Sequence, residues 1–109
     1  MAWLLRRGEV LASLELAESP IARARGFLGH DPCDGALLIK TPLGAHTLGV
    51  RIPLDVAYLD ADLVVVSTRR MAPNRIGLPR RGVHAVLEAE AGAFERWRLR
   101  PGDALSVEG

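Results

Sequence analysis

The stretch LDVAYLDADLVVVST, residues 54–68, decides the fold class. Two runs of apolar and often β-branched residues flank the turn-forming sequence Asp60-Ala61-Asp62. Such runs favour β-strands, and a short aspartate-rich break between them is typical of a hairpin. The sequence therefore predicts two strands that pair antiparallel around a tight turn.

Further strands are predicted on both sides of this hairpin. Residues 8–17 (GEVLASLELA) alternate apolar and polar side chains, which is the pattern of a strand with one buried face. Other short strands are predicted at residues 36–41 and 83–91, and a short strand or extended arm at 45–49. Residues 100–109 (RPGDALSVEG) predict a Pro-Gly turn followed by a last strand.

Two short helices complete the predicted elements. Ser19 is a suitable N-cap and Pro20 suits the first helical position, so a helix is predicted over residues 19–29. Residues 93–99 (AFERWRL) predict a second helix of one or two turns. The expected fold is mainly β, a β-rich α+β class: a compact, mostly antiparallel barrel or sandwich with one or two short helices.

The composition indicates one soluble domain spanning residues 1–109. With 109 residues and 49% hydrophobic side chains, the chain is long enough to build its own core. The single cysteine, Cys33, excludes an internal disulfide and fits a reducing compartment. No apolar run approaches the ~20 residues that span a bilayer. We therefore expect a cytoplasmic protein without a membrane segment, and no sequence pattern predicts a metal or another cofactor.

Charge is distributed unevenly along a chain whose net charge is only +1. Residues 69–81 (RRMAPNRIGLPRR) contain five arginines and no acid, which leaves nine basic and 13 acidic residues elsewhere. The prolines and glycines of this segment predict a long basic loop. Arginine forks suit phosphate and carboxylate groups, but no aromatic residue interleaves these arginines, which makes nucleic acid an unlikely partner.

Several stretches together resemble the DUF192 family, also called UPF0127, of bacterial and archaeal proteins. They are ARARGFLG, GALLI, HTLGVRIPLDVAYLD, AVLEAEAG and LRPGD, and they extend over about residues 10 to 107. The resemblance implies a compact, largely β domain and leaves the function open. Where many members have an aromatic-Trp-Met-Lys-Asn sequence, this chain has residues 45–51 (AHTLGVR), in which Arg51 falls near the Lys-Asn position.

Three side chains are candidates for chemistry. We expect Asp55, at the start of a strand, to accept backbone N–H bonds from a neighbouring turn or to pair with an arginine. Glu88 shares one strand face with Val86; if that face is inward, we expect an ion pair with an arginine such as Arg25 or Arg51. His46 could combine with Asp55 or Glu88 as a proton relay or a metal site.

Two functions follow from these residues as hypotheses. The first is a binding module for an anionic small molecule or an acidic partner, with donors Arg51, Arg69, Arg70, Arg75, Arg80 and Arg81. The second is a hydrolase or isomerase that uses His46 with Asp55 or Glu88, with or without a metal. A third possibility is an interaction subunit with an exposed apolar patch that includes Trp3 and Leu4.

Overall fold

The computed structural model describes residues 2–17, 35–40, 52–72 and 81–109. These residues form seven strands and one short helix, which confirms the expectation of a mainly β domain. In chain order the elements are β1 (Ala2–Arg6), β2 (Glu9–Ala17), β3 (Ala36–Lys40), β4 (Leu54–Leu59), β5 (Val65–Met71), β6 (Ala85–Glu90), α1 (Ala93–Trp97) and β7 (Leu105–Glu108).

All seven strands belong to one curled sheet with the order β5-β4-β6-β3-β2-β1-β7. The pairs between described strands are antiparallel except β2 with β3, which is parallel. The two ends of the sheet meet at one corner, where Val64 bridges to Ala104 and the Val65 N–H donates to the Asp103 carbonyl at 2.9 Å. The sheet is therefore a half-barrel.

Both faces of the central strands are buried. One face packs against α1 and is named here the helix face; its buried members include Leu4, Leu38, Ala57, Leu87 and Phe94. The other is named the Glu88 face; its buried apolar members include Leu37, Ile39, Val56, Tyr58 and Val86. Every residue of β4 is buried, because successive side chains point alternately to the two faces of the sheet, both of which are covered.

The predicted hairpin is confirmed. β4 and β5 pair antiparallel, with Tyr58 opposite Ser67 and a register shift beyond it. The Asp60 carboxylate accepts the N–H groups of Asp62 and Val64 at 2.8 and 2.9 Å, so its side chain closes the turn. This is the local bonding that makes aspartate favourable at turns.

The sequence analysis assigned no element before residue 8, but the structure has a strand there: Ala2–Arg6 pairs with both β2 and β7. Its Leu4 is 1% exposed and belongs to the core, so the apolar patch expected around Trp3 and Leu4 loses Leu4, although Trp3 is 41% exposed.

The predicted loop at residues 69–81 begins too early. Arg69, Arg70 and Met71 continue β5, because Met71 pairs with Leu54 and is buried with it. The burial of Met71 favours a continued strand more than the two charged arginines favour a loop. Both arginines are exposed on β5, which lies at one end of the strand order. The predicted helix at 19–29, the predicted strand at 45–49 and loop residues 73–80 lie outside the described residues.

Within the described ranges no helix is long and apolar enough to cross a lipid bilayer. The helix α1 has only five residues.

Gly35 and Gly8 offer a matched test of packing at the start of β3. Both have positive φ, +121° and +78°, but a Cβ at Gly35 would collide with Ser13, whereas nothing lies near Gly8. We expect Gly8→Ala to cost ~1 kcal/mol from backbone conformation alone. Gly35→Ala should cost at least ~2 kcal/mol more, because β2 and β3 must separate. Urea unfolding of both variants measures the difference, and equal costs would contradict the close approach.

Candidate functional site

Asp55 joins three elements on the helix face. The residue is 4% exposed. Oδ2 accepts the N–H groups of Gly92 and Phe94 at 2.9 and 3.2 Å. Oδ1 accepts Nε–H of Arg70 at 3.0 Å. Both contacts expected for Asp55, backbone N–H groups and an arginine, are therefore confirmed.

These bonds explain how so short a helix begins at a defined place. Gly92 occupies the N-cap position with φ 100°, and no side chain of its own caps α1. Two N–H groups at the start of the helix, those of Gly92 and Phe94, bond instead to Asp55 on β4. The hydrogen bond to Asp55 and its negative charge raise the pKa of Arg70, so the arginine stays protonated as the partner of the buried carboxylate.

Glu88 occupies the middle of the opposite face. It lies directly across from Val56 on β4 and Leu37 on β3. It is 1% exposed, and its Oε1 has no hydrogen-bond partner among the residues described. The inward orientation considered for Glu88 is confirmed, whereas the ion pair with Arg25 or Arg51 stays a prediction because both arginines lie outside the described residues.

Burial raises the pKa of Glu88 to about 8. Its apolar neighbours cannot solvate a carboxylate, so the neutral acid is the favoured form in the folded protein. At neutral pH the side chain is therefore a hydroxyl donor as well as an acceptor. This differs from Asp55, whose oxygens already accept three bonds.

The sheet register separates the two carboxyl groups. Asp55 pairs with Ala89, and Glu88 pairs with Val56, so Asp55 and Glu88 point to opposite faces. Asp55 and Glu88 therefore do not share one centre, and a role of His46 with either of them stays a prediction. His46 lies outside the described residues, and within those residues no cluster of three or more potential metal ligands occurs.

The arginines predicted to bind a ligand are also divided. Arg69 lies opposite Val56 on the Glu88 face, and Arg70 lies opposite Asp55 on the helix face. Arg81 comes three residues before His84, whose N–H bonds the Leu59 carbonyl at 2.8 Å. Leu59 is three residues, or about 10 Å, along β4 from Val56. Three of the predicted donors, Arg51, Arg75 and Arg80, lie outside the described residues.

A second group of arginines was not singled out from the sequence. Arg6 donates to the carbonyls of Trp97 and Arg98 at 2.7 and 3.2 Å and to the Asp103 carboxylate at 3.0 Å. It thereby holds the C-terminal end of α1 against β1. In the sequence, arginine alternates at positions 96, 98 and 100, and this pattern could have marked the segment as a candidate site. Only the fold brings the segment beside Arg6.

The protein is thus a small, single-domain β half-barrel, and it buries two carboxyl groups on opposite faces of its sheet. The model of the DUF192 family, described as "Uncharacterized ACR", matches residues 3–107, and the chain belongs to this family. Among curated relatives, the UPF0127 protein PYRAB11210 of Pyrococcus abyssi (strain GE5 / Orsay) is 28% identical over 97 residues, which cover 84% of this chain and 83% of the relative.

Two solved structures have the same fold. One is a "putative transcription regulator" (R01717) from Sinorhizobium meliloti 1021, with a TM-score of 0.79 and 24% identity over 97% of this chain and 91% of that one. The other is a protein of unknown function from Novosphingobium aromaticivorans DSM 12444, with a TM-score of 0.76 and 23% identity over 96% and 82% of the two chains. At these identities the likeness extends to the fold alone.

Replacing Asp55 and its arginine partner should have unequal effects on stability. Asp55→Ala leaves two N–H groups of α1 unsatisfied and should cost ~3 kcal/mol. Arg70→Gln should cost much less, because its side chain is 56% exposed and Asp55 keeps its backbone bonds. Chemical denaturation of both variants measures this difference. A larger loss from Arg70→Gln would mean that the ion pair, and not the bonds to α1, holds Asp55.

The buried Glu88 predicts a pH-dependent stability. Its pKa is raised from 4.5 in the unfolded chain to about 8 in the fold, so the folded state binds the extra proton between these values. The free energy of unfolding should therefore fall as pH rises from 4.5 to 8 and level off above, by roughly 5 kcal/mol in total. Glu88→Gln should remove this slope. Denaturation midpoints of both proteins across this range measure it, and parallel profiles would contradict the assignment.

Proposed function

We propose that this domain binds an anionic small molecule on the Glu88 face, at the edge formed by β5. An acidic protein partner is the broader form of the same proposal. The observation that supports it is a row of directly paired residues across three strands: Arg69 on β5, Val56 on β4 and Glu88 on β6. The row runs from an exposed guanidinium to a buried carboxyl group.

The two polar ends of this row can serve one ligand. Neighbouring strands are separated by about 4.8 Å, so the backbones of Arg69 and Glu88 are about 9.5 Å apart with Val56 between them. Val56 and Glu88 are 0% and 1% exposed, so an anion binds first at Arg69 on the solvent side of the row and reaches Glu88 only when Val56 is uncovered. Arg69 forms no ion pair with another described residue.

A carboxyl group favours an anion only when it is protonated. The raised pKa of Glu88, about 8, keeps it neutral at physiological pH. In that form its hydroxyl donates a hydrogen bond to phosphate or carboxylate instead of repelling it. The row then offers a positive charge at the solvent edge and a neutral donor inside.

The other predicted donors fit the same proposal in lesser roles. Arg51, Arg75, Arg80 and Arg81 would raise the positive potential around the site and so the rate at which an anion arrives. Arg70 is engaged by Asp55, so we assign it to the structure of the helix face. The cytoplasmic location stays a prediction from the sequence.

Acid–base catalysis by Glu88 is the second candidate function. One observation favours Glu88 over Asp55: its Oε1 accepts no bond from a described residue, and its pKa lies near neutrality, where a general acid or base works best. The hydrolase or isomerase would use Glu88 with His46. Turnover of ester or epimerisable sugar-acid substrates that is lost in both Glu88→Gln and His46→Ala would favour it over simple binding.

An amide NMR titration with inorganic phosphate and with sugar acids tests the binding proposal. We expect saturable shifts in β4, β5 and β6 around Val56. Arg69→Gln should weaken the affinity about 10-fold, since it removes a charge-assisted hydrogen bond. Arg96→Gln is the matched control, because it removes one exposed arginine on the helix face.

Variants of Glu88 separate a hydrogen-bond donor from a structural role. In the unmodified protein we expect affinity to fall above pH 8, where Glu88 loses its proton. Glu88→Gln keeps a donor, so it should retain affinity and show no such fall. Glu88→Leu should fold and lose affinity, because it fills the space without a donor. Equal affinity in Glu88→Leu, or an equal effect of Arg69→Gln and Arg96→Gln, would exclude this site.

A further inference from the structure

An open cleft lies at the C-terminal end of α1, on the helix face. It has a volume of about 460 Å³ and is lined by Phe94, Glu95, Arg98, Leu99 and Arg100. Phe94 and Leu99 are each 7% exposed, so they form a largely buried apolar floor. Arg98 and Arg100 are exposed and form the rim. A cleft of this volume is in the range that accommodates a small molecule.

The negative groups near this cleft are already neutralised by other contacts. The last carbonyls of a helix carry partial negative charge, but those of Trp97 and Arg98 accept the guanidinium of Arg6. Asp103 accepts the N–H of Arg100 at 3.0 Å and the guanidinium of Arg6 at 3.0 Å. These bonds, with the nearby charge of Arg7, lower the pKa of Asp103, so it remains a satisfied carboxylate.

The arginines at the rim are left without acidic partners. Within the described part of the chain, the side chains of Arg98 and Arg100 form no salt bridge. The one carboxylate that lines the cleft is Glu95, whose charge also acts on Arg70 and helps to raise its pKa. The cleft therefore has two available guanidinium groups against one shared acid.

We infer that this cleft binds a small organic phosphate, with its phosphate on Arg98 and Arg100 and its apolar group against Phe94 and Leu99. Two guanidinium groups match a dianion better than a single carboxylate, and their planar forks bind phosphate oxygens in pairs. The apolar floor distinguishes an organic phosphate from the inorganic ion. This inference is independent of the proposed function, because α1 and Glu88 lie on opposite faces of the sheet.

Phenyl phosphate is a suitable probe, with inorganic phosphate as the comparison. Titration of the full chain, followed by amide NMR, should give saturable shifts centred on residues 93–100. We expect phenyl phosphate to bind about 10-fold more tightly than inorganic phosphate, because a ring buries apolar area on the floor.

Charge-removing variants test the roles of the two arginines. Arg98 has a left-handed conformation with φ 54°, so Arg98→Asn is chosen because asparagine tolerates it. Arg98→Asn and Arg100→Gln should each weaken binding of phenyl phosphate about 10-fold. Lys40→Gln, which removes an exposed cation at the end of β3, should leave the affinity unchanged.

Each other outcome overturns the inference. Non-saturable shifts, or an equal loss of affinity in Lys40→Gln, would indicate general attraction to positive charge. Equal affinity for phenyl phosphate and inorganic phosphate would exclude a role for the apolar floor. Shifts confined to β4, β5 and β6 would assign the ligand to the Glu88 face and leave this cleft without a function.

Discussion

The carboxylate of Asp55 is the constraint on which the rest of the helix face depends. It binds two N–H groups at the start of α1 and the guanidinium of Arg70 on β5 while it is itself part of β4. A helix of five residues is too short to be stable alone, so it needs such a partner and an apolar surface beneath it. Phe94 then supplies that surface by packing into the core.

Glu88 has the opposite character on the opposite face. Asp55 is buried with donors, whereas Glu88 is buried against apolar side chains, with one oxygen unmatched among the described residues. Burial of an unmatched carboxyl group costs free energy that an apolar residue would avoid. A group that lowers stability and has a pKa near neutrality is a reasonable candidate for function, and this contrast is why we place the ligand beside Glu88 and not beside Asp55.

Arginine serves two purposes in this protein, and the fold separates them. Arg6 and Arg70 are structural: each binds a carboxylate and, in the case of Arg6, helix carbonyls as well. Arg69, Arg98 and Arg100 are exposed side chains that form no salt bridge in the described part of the chain. The available positive charge is thus divided between two faces, which favours two small sites over one continuous basic surface.

Local patterns predicted the mainly β class and the hairpin around Asp60, because alternation and turn residues act between neighbours in the chain. The family followed from the resemblance of several stretches, such as HTLGVRIPLDVAYLD. The sequence also indicated that Asp55 would accept backbone bonds. Tertiary structure alone decided that those bonds come from Gly92 and Phe94, that Asp55 and Glu88 face apart, and that Arg6 reaches the end of α1. These contacts depend on strand register and on residues 37 to 92 positions apart, which no local pattern encodes.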